Sequence, residues 1–343
     1  MRIVTHNGKF HADDITSVAL LTCYFTFKGT EVSLLRTRDV EVFKDNDILV
    51  DVGLEYDHSI LHYDHHQEDF HETWSKDDNI ILSSAGLIWR HYGNYIIEMY
   101  LSNNPDEYDN TFNYSEQTIE EIKNNIYYKL IQEIDANDNG IVYNNTESLN
   151  IPQIVSDMNG DITNEENQYT NFNKAVLLLG EIFDVNFKKI INTYFNFQTD
   201  LEIVSKMDLS GSYIIVNKNI PTLFKCLNEL DPDLNIKFCI FENENEYTIK
   251  TRRIDKFLPI CPIISEDIIK TLCNPNDIIF VHKSSFIAKV KTLETALKIV
   301  KYSILNMTSD INNFLKEDST YKYIGASILG ISVLGILYWN LKE

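Results

Sequence analysis

The sequence is short of cysteine and of positive charge, and it shows no N-terminal targeting signal. Its five cysteines form no CxxC pair and are odd in number, which argues against a zinc ribbon or a disulfide framework and favours a reducing compartment. Lysine and arginine number 30 against 51 acidic residues, a net charge of −21. The chain therefore has no global attraction for phosphate backbones or anionic lipid headgroups. Because no charged and apolar leader precedes the first strand-like segment, we expect no secretory or transit peptide.

The remaining composition is that of an ordinary globular protein. The chain has 343 residues, of which 44% are hydrophobic and 24% charged. This length corresponds to roughly two domains, enough to bury a core without disulfides or structural metal. A disordered or fibrous protein is thereby excluded.

Short apolar strands alternate with helical periodicity in the first third of the chain. Strand-like segments occupy 2–5, 31–36 and 47–52, and helical periodicity covers 13–27 and 83–101. This alternation predicts an α/β domain, a mainly parallel sheet flanked by helices, over residues 1–200. Further helices are expected at 117–135 and 171–196, and polar loops at 102–116 and 157–170.

From about residue 205 the pattern becomes rich in β-strand signals. The segments SYIIVN, IKFCIFE, EYTIKTRR and DIIFVH predict a second, smaller α+β domain over 205–305. Residues 306–320 are interpreted as a linker.

The C-terminal segment carries no charge between Tyr323 and Trp339. Such a run is just long enough to cross a thin bilayer as a helix. Residues 321–341 are therefore a candidate transmembrane tail that would anchor the chain with its other domains in the cytosol; the alternative is a buried apolar C-terminal helix.

Histidine is concentrated near the N-terminus, where eight of nine lie within the first 91 residues. Together with aspartates they form four clusters at strand or helix ends: 6–14, Asp51, 63–67 and 133–140. Imidazole and carboxylate ligands without thiolate suit Mn²⁺, with Mg²⁺ as the alternative, and there are enough for two ions. Each cluster alone could equally be a solvated turn or a helix cap.

These clusters, in this order, resemble the MYG1 family of the DHH phosphoesterase superfamily. The resemblance covers about residues 1–305 and rests on THNGKFHADD (5–14), LLRTRD (34–39), DILVDVG (47–53), YDHHQ (63–67), LSSAGLIWRHYG (82–93) and EIDANDNG (133–140), and more thinly on DKFLPI (255–260) and IIFVHKSSFIA (278–288). It implies a DHH-like catalytic domain followed by a substrate-binding domain.

The resemblance also implies roles for individual residues. The implied metal ligands are His6, His11, Asp13, Asp51, His65 and Asp135. His6 and His11 would hold one ion, Asp51 would bridge to the second, and the remaining three would complete the second site.

Three further residues of these motifs receive supporting roles. His66 would face the substrate phosphate and, with Asp51, is interpreted as catalytic. Asp64 and Asp138 would lie behind the ligands and orient the imidazoles.

Five residues are candidates for substrate binding. Arg36 and Arg38 could contact phosphate, or pair with Asp39 at the surface. Ser84 begins a helix whose N-terminus could bind an anion, or simply caps that helix. His282 and Ser285 match a segment that resembles the family's substrate-binding loop, although Ala288 and Lys289 follow where relatives tend to have glycine.

The predicted function is a metal-dependent phosphodiesterase that activates water through two metal ions. The resemblance implies, more specifically, a 3′→5′ exonuclease acting on single-stranded RNA or short oligonucleotides. Two alternatives stay open. The chain could hydrolyse small nucleotides or pyrophosphate, or it could be a membrane-tethered scaffold that binds metal without turnover.

Overall fold

The computed structural model describes residues 1–104, 114–141, 150–253 and 258–317, with side chains described up to Met307. The chain divides into two compact units, Met1–Asn192 and Thr193–Glu343. The candidate membrane tail, 321–341, lies outside the described residues. Among the helices that are described, none combines the length and the apolar character that crossing a bilayer requires.

The first unit is built on a five-stranded sheet in the order β2-β1-β3-β5-β4. Its strands are β1 (Arg2–Thr5), β2 (Ser33–Arg36), β3 (Ile48–Val50), β4 (Tyr56–Asp57) and β5 (His62–Tyr63). The first four strands in that order are parallel, and only β4 runs antiparallel to β5. The mainly parallel sheet predicted from the alternating pattern is confirmed.

The central strands are apolar because helices cover both faces of a parallel sheet. Ile3 and Val4 of β1 and Ile48 and Val50 of β3 are fully buried. The helices of this unit are α1 (Ala12–Phe27), α2 (Ser84–Asn103), α3 (Glu116–Ile126), α4 (Gln132–Asp138) and α5 (Ile151–Met158), together with the first part of α6 (Glu165–Ser205).

Two helical predictions differ from the structure in detail. The helix expected at 117–135 is interrupted by a π-helical stretch, Tyr127–Ile131, before α4 begins. The loop expected at 157–170 is shorter, because α5 ends at Met158 and α6 already begins at Glu165. Most of the predicted 102–116 loop lies outside the described residues.

The second unit has a sheet in the order β6-β7-β8-β10-β9, in which only β6 and β7 are parallel. The strands are β6 (Tyr213–Val216), β7 (Phe238–Asn243), β8 (Glu246–Thr251), β9 (Ile278–Val281) and β10 (Ile287–Val290). The helices that begin in this unit are α7 (Leu223–Leu230), α8 (Glu266–Leu272) and α9 (Leu293–Glu317).

This unit has the α+β character predicted from its four strand-like segments, each of which contains one of β6 to β9. The fifth strand, β10, was not anticipated. The interval interpreted as a linker, 306–320, is helical through Glu317, because α9 continues without a break.

Candidate metal centre

Three neighbouring parallel strands end at the same edge of the first sheet, and each is followed by a candidate ligand. His6 follows β1, Asp51 follows β3, and His65 and His66 come shortly after β5. Because β3 pairs with both β1 and β5 in parallel register, these side chains meet at the carboxyl edge. Open parallel sheets bind their ligands at this edge.

Asp51 lies between the imidazoles. Its two carboxylate oxygens lie 3.1 Å from His6 Nε2 and 3.3 Å from His65 Nε2, and Oδ1 is also 3.5 Å from His66 Nδ1. Its backbone is in the left-handed region at φ 54°, which is uncommon for a residue other than glycine and is often found at functional sites. Burial alone would raise the pKa of Asp51, but His6 and His65 hold it below its usual range.

Asp13 reaches the same edge from the first turn of α1. It is fully buried, its Oδ2 accepts a hydrogen bond from Ser84 Oγ at 2.9 Å, and it lies 3.8 Å from His65 Nε2. Burial raises the pKa of Asp13, and the nearby charges of Asp51 and Asp138 raise it further. A buried carboxylate among other carboxylates is stabilised by a bound cation.

Asp14 lies beside the candidate ligands, although the sequence motif 5–14 that contains it gave it no ligand role. Its Oδ2 lies 3.2 Å from His6 Nε2, and its Oδ1 accepts a hydrogen bond from His11 N at 3.0 Å. The available signal was its spacing, since an acidic residue three positions after a helix N-cap is typical of capping. Burial lowers the pKa of His6, but the nearby carboxylates of Asp14 and Asp51 raise it, to about 10.

Asp64 orients His66 as the resemblance implied. Its Oδ1 accepts a hydrogen bond from His66 Nδ1 at 2.7 Å, and its Oδ2 accepts one from Leu54 N at 2.7 Å. This pairing raises the pKa of His66. The side chain of His66 is 55% exposed, so its ring is accessible to a substrate.

The positions of Asp135 and Asp138 are the reverse of those that the resemblance implied: Asp138 lies with the candidate ligands, and Asp135 lies behind them. Asp138 Oδ2 lies 3.1 Å from His65 Nε2, at the centre itself. Asp135 instead accepts hydrogen bonds from Ser83 N, Ser83 Oγ and Gly86 N, at the N-terminus of α2, and one from Tyr127 OH. The two carboxylates are three residues apart on α4, and only tertiary packing decides which one faces the ligands.

The close approach of α2 to Asp135 depends on a glycine. A Cβ added at Gly86 would meet Asp135 Oδ2 at 2.4 Å, so only glycine permits this contact. Burial raises the pKa of Asp135 to about 7, while its hydrogen bonds from Ser83 and Tyr127 oppose the shift.

The described residues include three overlapping groups whose ligand atoms lie within 4.8 Å of one another: His6, His11 and Asp51; Asp51, His65 and His66; and His11, Asp13 and Asp138. Asp135 is in none of these three. Five buried atoms in this cluster lack a hydrogen-bond partner: His6 Nε2, Asp13 Oδ1, Asp14 Oδ2, Asp51 Oδ1 and His65 Nε2. Buried polar atoms are almost always partnered, so an orphaned set of imidazole nitrogens and carboxylate oxygens fits divalent metal ions.

The same motifs match a protein family over most of the chain. The family model MYG1_exonuc, described as "Uncharacterised protein family (UPF0160)", matches residues 2–304. The chain belongs to the MYG1 family. The MYG1 protein of Schizosaccharomyces pombe is 28% identical over 326 residues, covering 89% of this chain and 97% of that protein. The MYG1 exonuclease of Rattus norvegicus is 28% identical over 342 residues, covering 90% of this chain and 86% of that protein.

Solved structures show a more distant similarity. RecJ in complex with Mn²⁺ from Thermus thermophilus has a TM-score of 0.26 and 12% identity, covering 88% of this chain and 52% of that one. The exonuclease RecJ bound to manganese has a TM-score of 0.23 and 13% identity, covering 88% and 90%.

In this MYG1-family chain, the five candidate substrate-binding residues lie in two different units. Arg36, Arg38 and Ser84 belong to the first unit, and His282 and Ser285 belong to the second. Arg36 packs over Phe172, with 4.3 Å from its Cζ to the ring centroid, and its Nη2 donates to Gly8 O at 2.8 Å. It therefore holds the backbone beside the centre, whereas Arg38 is exposed. Ser84 is fully buried and bound to Asp13, so its hydroxyl positions a candidate ligand and is not accessible to a substrate.

His282 and Ser285 lie together in the second unit, in the turn between β9 and β10. His282 O accepts a hydrogen bond from Ser285 N at 2.9 Å, and Ser285 has a left-handed φ of 56°. The ring of His282 lies against Phe286, with 4.4 Å between centroids. Both rings are half-buried, and His282 Nδ1 accepts a hydrogen bond from Ser284 N at 3.0 Å.

Proposed function

We propose that this MYG1-family chain is a metal-dependent phosphodiesterase that degrades RNA as a 3′→5′ exonuclease. Family membership supports a nuclease, since several relatives are named MYG1 exonuclease. The observation that supports this chemistry is that five buried imidazole and carboxylate atoms without hydrogen-bond partners converge at the carboxyl edge of the sheet. The proposal also specifies that degradation runs from the 3′ end and that the substrate is RNA and not DNA.

Each residue has a definite task. His6, His11, Asp13, Asp51, His65 and Asp138 would hold the ions, for which we favour Mn²⁺ over Mg²⁺ because imidazole is present beside carboxylate. Bound divalent ions would polarise the phosphodiester and activate water for in-line displacement.

His66 is placed to act on the substrate. Ionised Asp64 can only accept, so its hydrogen bond fixes a proton on His66 Nδ1. Because the pKa of His66 is raised, its cationic form persists to higher pH than that of a free imidazole, and in that form Nε2–H can donate to a phosphate oxygen. We therefore assign His66 to the substrate phosphate.

A second candidate is hydrolysis of small nucleotides or pyrophosphate. The net charge of −21 favours it, because a strongly acidic chain binds long polyanions weakly away from its bound cations. A metal-binding scaffold without turnover is the remaining alternative.

The deciding experiment is degradation of single-stranded RNA carrying a 5′ label by the purified chain, with Mn²⁺, Mg²⁺ or EDTA. The same oligonucleotide with a 3′ label, a DNA of the same sequence, a dinucleotide and pyrophosphate are run in parallel. Asp51→Ala is the test variant. Asp47→Ala is the matched control, because Asp47 is buried on the same strand segment but pairs with Arg2 away from the cluster.

A ladder that shortens from the 3′ end, requires Mn²⁺, and disappears in Asp51→Ala but not in Asp47→Ala is the expected result. Hydrolysis of only the dinucleotide or pyrophosphate would move the substrate to small molecules. Metal binding without any turnover would favour the scaffold.

Attachment to a membrane through residues 321–341, with the domains that precede this segment in the cytosol, is a separate proposal from the sequence. Flotation of the full chain with liposomes, compared with a variant lacking residues 319–343, tests it. Equal flotation of both forms would contradict it.

A further inference from the structure

The backbone turn that carries two candidate ligands is held by side chains from distant parts of the first unit. This histidine turn, residues 6–11, contains Gly8 at φ +84° and joins β1 to α1. Arg36 Nη2 donates to Gly8 O at 2.8 Å, and His11 N donates to Asp14 Oδ1 at 3.0 Å. Side chains therefore bind backbone groups of the turn at Gly8 and at His11.

Asn159 binds the histidine turn at Phe10, between Gly8 and His11. Its Oδ1 accepts from Phe10 N at 2.8 Å and its Nδ2 donates to Phe10 O at 2.9 Å, across 149 residues of sequence. One side-chain amide thus satisfies both backbone groups of one residue, as a neighbouring strand would. Asn159 is 4% exposed, so water does not compete for these bonds.

Asn159 is itself held in place by side chains of α6. It follows the last residue of α5, and its own carbonyl accepts hydrogen bonds from Gln168 Nε2 and Asn171 Nδ2 at the start of α6. Phe10 is fully buried and packs edge-on against Phe172 of the same helix, with 5.5 Å between ring centroids. The Phe10 backbone therefore has little freedom to move.

We propose that Asn159 is a positioning residue for the metal centre. It fixes the Phe10 backbone one residue before His11, and thereby places the His11 imidazole beside His6 and Asp51. Metal ligands must be held within about 0.5 Å of their productive geometry, and residues that orient ligands contribute about 10- to 100-fold to metal affinity. Asn159 is not a ligand, because both polar atoms of its amide are already engaged. The proposal rests on the metal site of the proposed function.

Asn159→Asp tests the assignment without changing side-chain size. It removes the donor to Phe10 O and sets a carboxylate against that carbonyl. The added negative charge would by itself favour a nearby cation, so a loss of affinity reports on geometry. We expect Mn²⁺ affinity, measured by calorimetric titration, to fall about 10- to 100-fold, and the electron paramagnetic resonance spectrum of bound Mn²⁺ to change.

Two control variants separate positioning from general destabilisation. Asn186→Asp makes the same chemical change where the amide donates only to Ile182 O within α6. Ile122→Val loosens the core at a fully buried site on α3, with a loss of about 0.5–1.5 kcal/mol expected for this substitution. Both are expected to keep wild-type Mn²⁺ affinity.

The outcomes are distinguishable. If the wild-type chain binds no Mn²⁺, the proposed function fails. If the wild type binds and Asn159→Asp binds equally well while its melting temperature falls, Asn159 is only structural and the inference is overturned. If Asn159→Asp does not fold, Asn159→Ser, which removes both hydrogen bonds without adding charge, is tested in its place. Loss of folding in both variants would also overturn the positioning role.

Discussion

Each of the two units buries a carboxylate beside cationic or ionisable partners, but the two carboxylates differ in how completely the protein satisfies them. In the second unit, Asp231 pairs with the buried Arg252 at 2.7 Å and also accepts hydrogen bonds from Ile236 N and from Asn235. In the first unit, Asp51 Oδ1 makes no hydrogen bond, although it lies 3.3 Å from His65 Nε2. Buried charge that serves the fold is paired within the protein, whereas the charge in the candidate centre is left for a ligand.

The largest expected change in stability follows from neutralising the paired carboxylate, Asp231. Asp231→Asn leaves the guanidinium of Arg252 buried without its counter-charge, and we expect the free energy of unfolding to fall by about 3–5 kcal/mol. Urea denaturation measures this. The double variant Asp231→Leu with Arg252→Met should recover most of the loss, because a buried pair replaced by apolar side chains is often neutral. A loss under about 1 kcal/mol in the single variant would remove the contrast between the units.

The same substitution at Asp13 should act with the opposite sign. Without metal, Asp13→Asn removes a buried charge that faces other carboxylates, so we expect stability to rise by about 1 kcal/mol. The wild-type chain should gain about 2.7 kcal/mol from Mn²⁺ at about 100 times its dissociation constant, and the variant should lose most of that gain. Thermal unfolding with and without Mn²⁺ measures both; a destabilised metal-free variant would contradict the interpretation.

Asp135 and Asp138 test the contrast within one helix. Asp135→Ala leaves backbone N–H groups of α2 without an acceptor, and we expect a stability loss of about 2 kcal/mol with Mn²⁺ affinity nearly unchanged. Asp138→Ala should instead weaken Mn²⁺ binding by about tenfold or more and leave stability nearly unchanged. Calorimetric titration and urea denaturation of both variants check this, and the reverse pattern would restore Asp135 as the ligand.

The smallest expected effect is the pH dependence of the metal-free protein. Because the pKa of His6 is raised to about 10, its stabilising contribution is complete below its ordinary value of about 6.5 and is lost as pH rises from there to about 10. The raised pKa of Asp13 acts in the same direction. We expect the free energy of unfolding to be lower at about pH 7.5 than at about pH 6, by on the order of 1 kcal/mol.

His6→Asn is the control for this pH dependence and should flatten it. Saturating Mn²⁺ should weaken or reverse the trend, because metal binding requires the deprotonated imidazole. Metal-free stability that rises between these pH values would contradict the assignment.

Much of the fold could be predicted because its signals are local. The apolar runs that form β1 and β3 are bounded by polar residues, and the four β-rich segments of the second unit each produced a strand. The strand β10 was missed because Ile287–Val290 is short and mixes lysine with apolar residues. The helical path of α9 through the expected linker was missed because that interval is polar.

The candidate centre was predictable to the level of motifs. A histidine or aspartate that directly follows a parallel strand lies at the carboxyl edge, so His6 and Asp51 come together for a reason visible in the sequence. His65 joins them through β5, a two-residue strand that no sequence pattern predicted. Asp14 lies within the 6–14 cluster but received no ligand role, because acidic residues in a first helical turn are common without any ligand. Ser84 was given a substrate role because its burial against Asp13 depends on the packing of α1 against α2.

The sequence by itself determined the strand ends, the kinds of ligand atoms there and the family. These follow from residue type and from periodicity along one stretch of chain. Only the tertiary structure decided that Asp138 faces the centre while Asp135 holds α2, and that Asn159 binds the backbone of Phe10. The physical reason is that the orientation of a helix about its axis, and hydrogen bonds across 149 residues, are fixed by packing that no local pattern encodes.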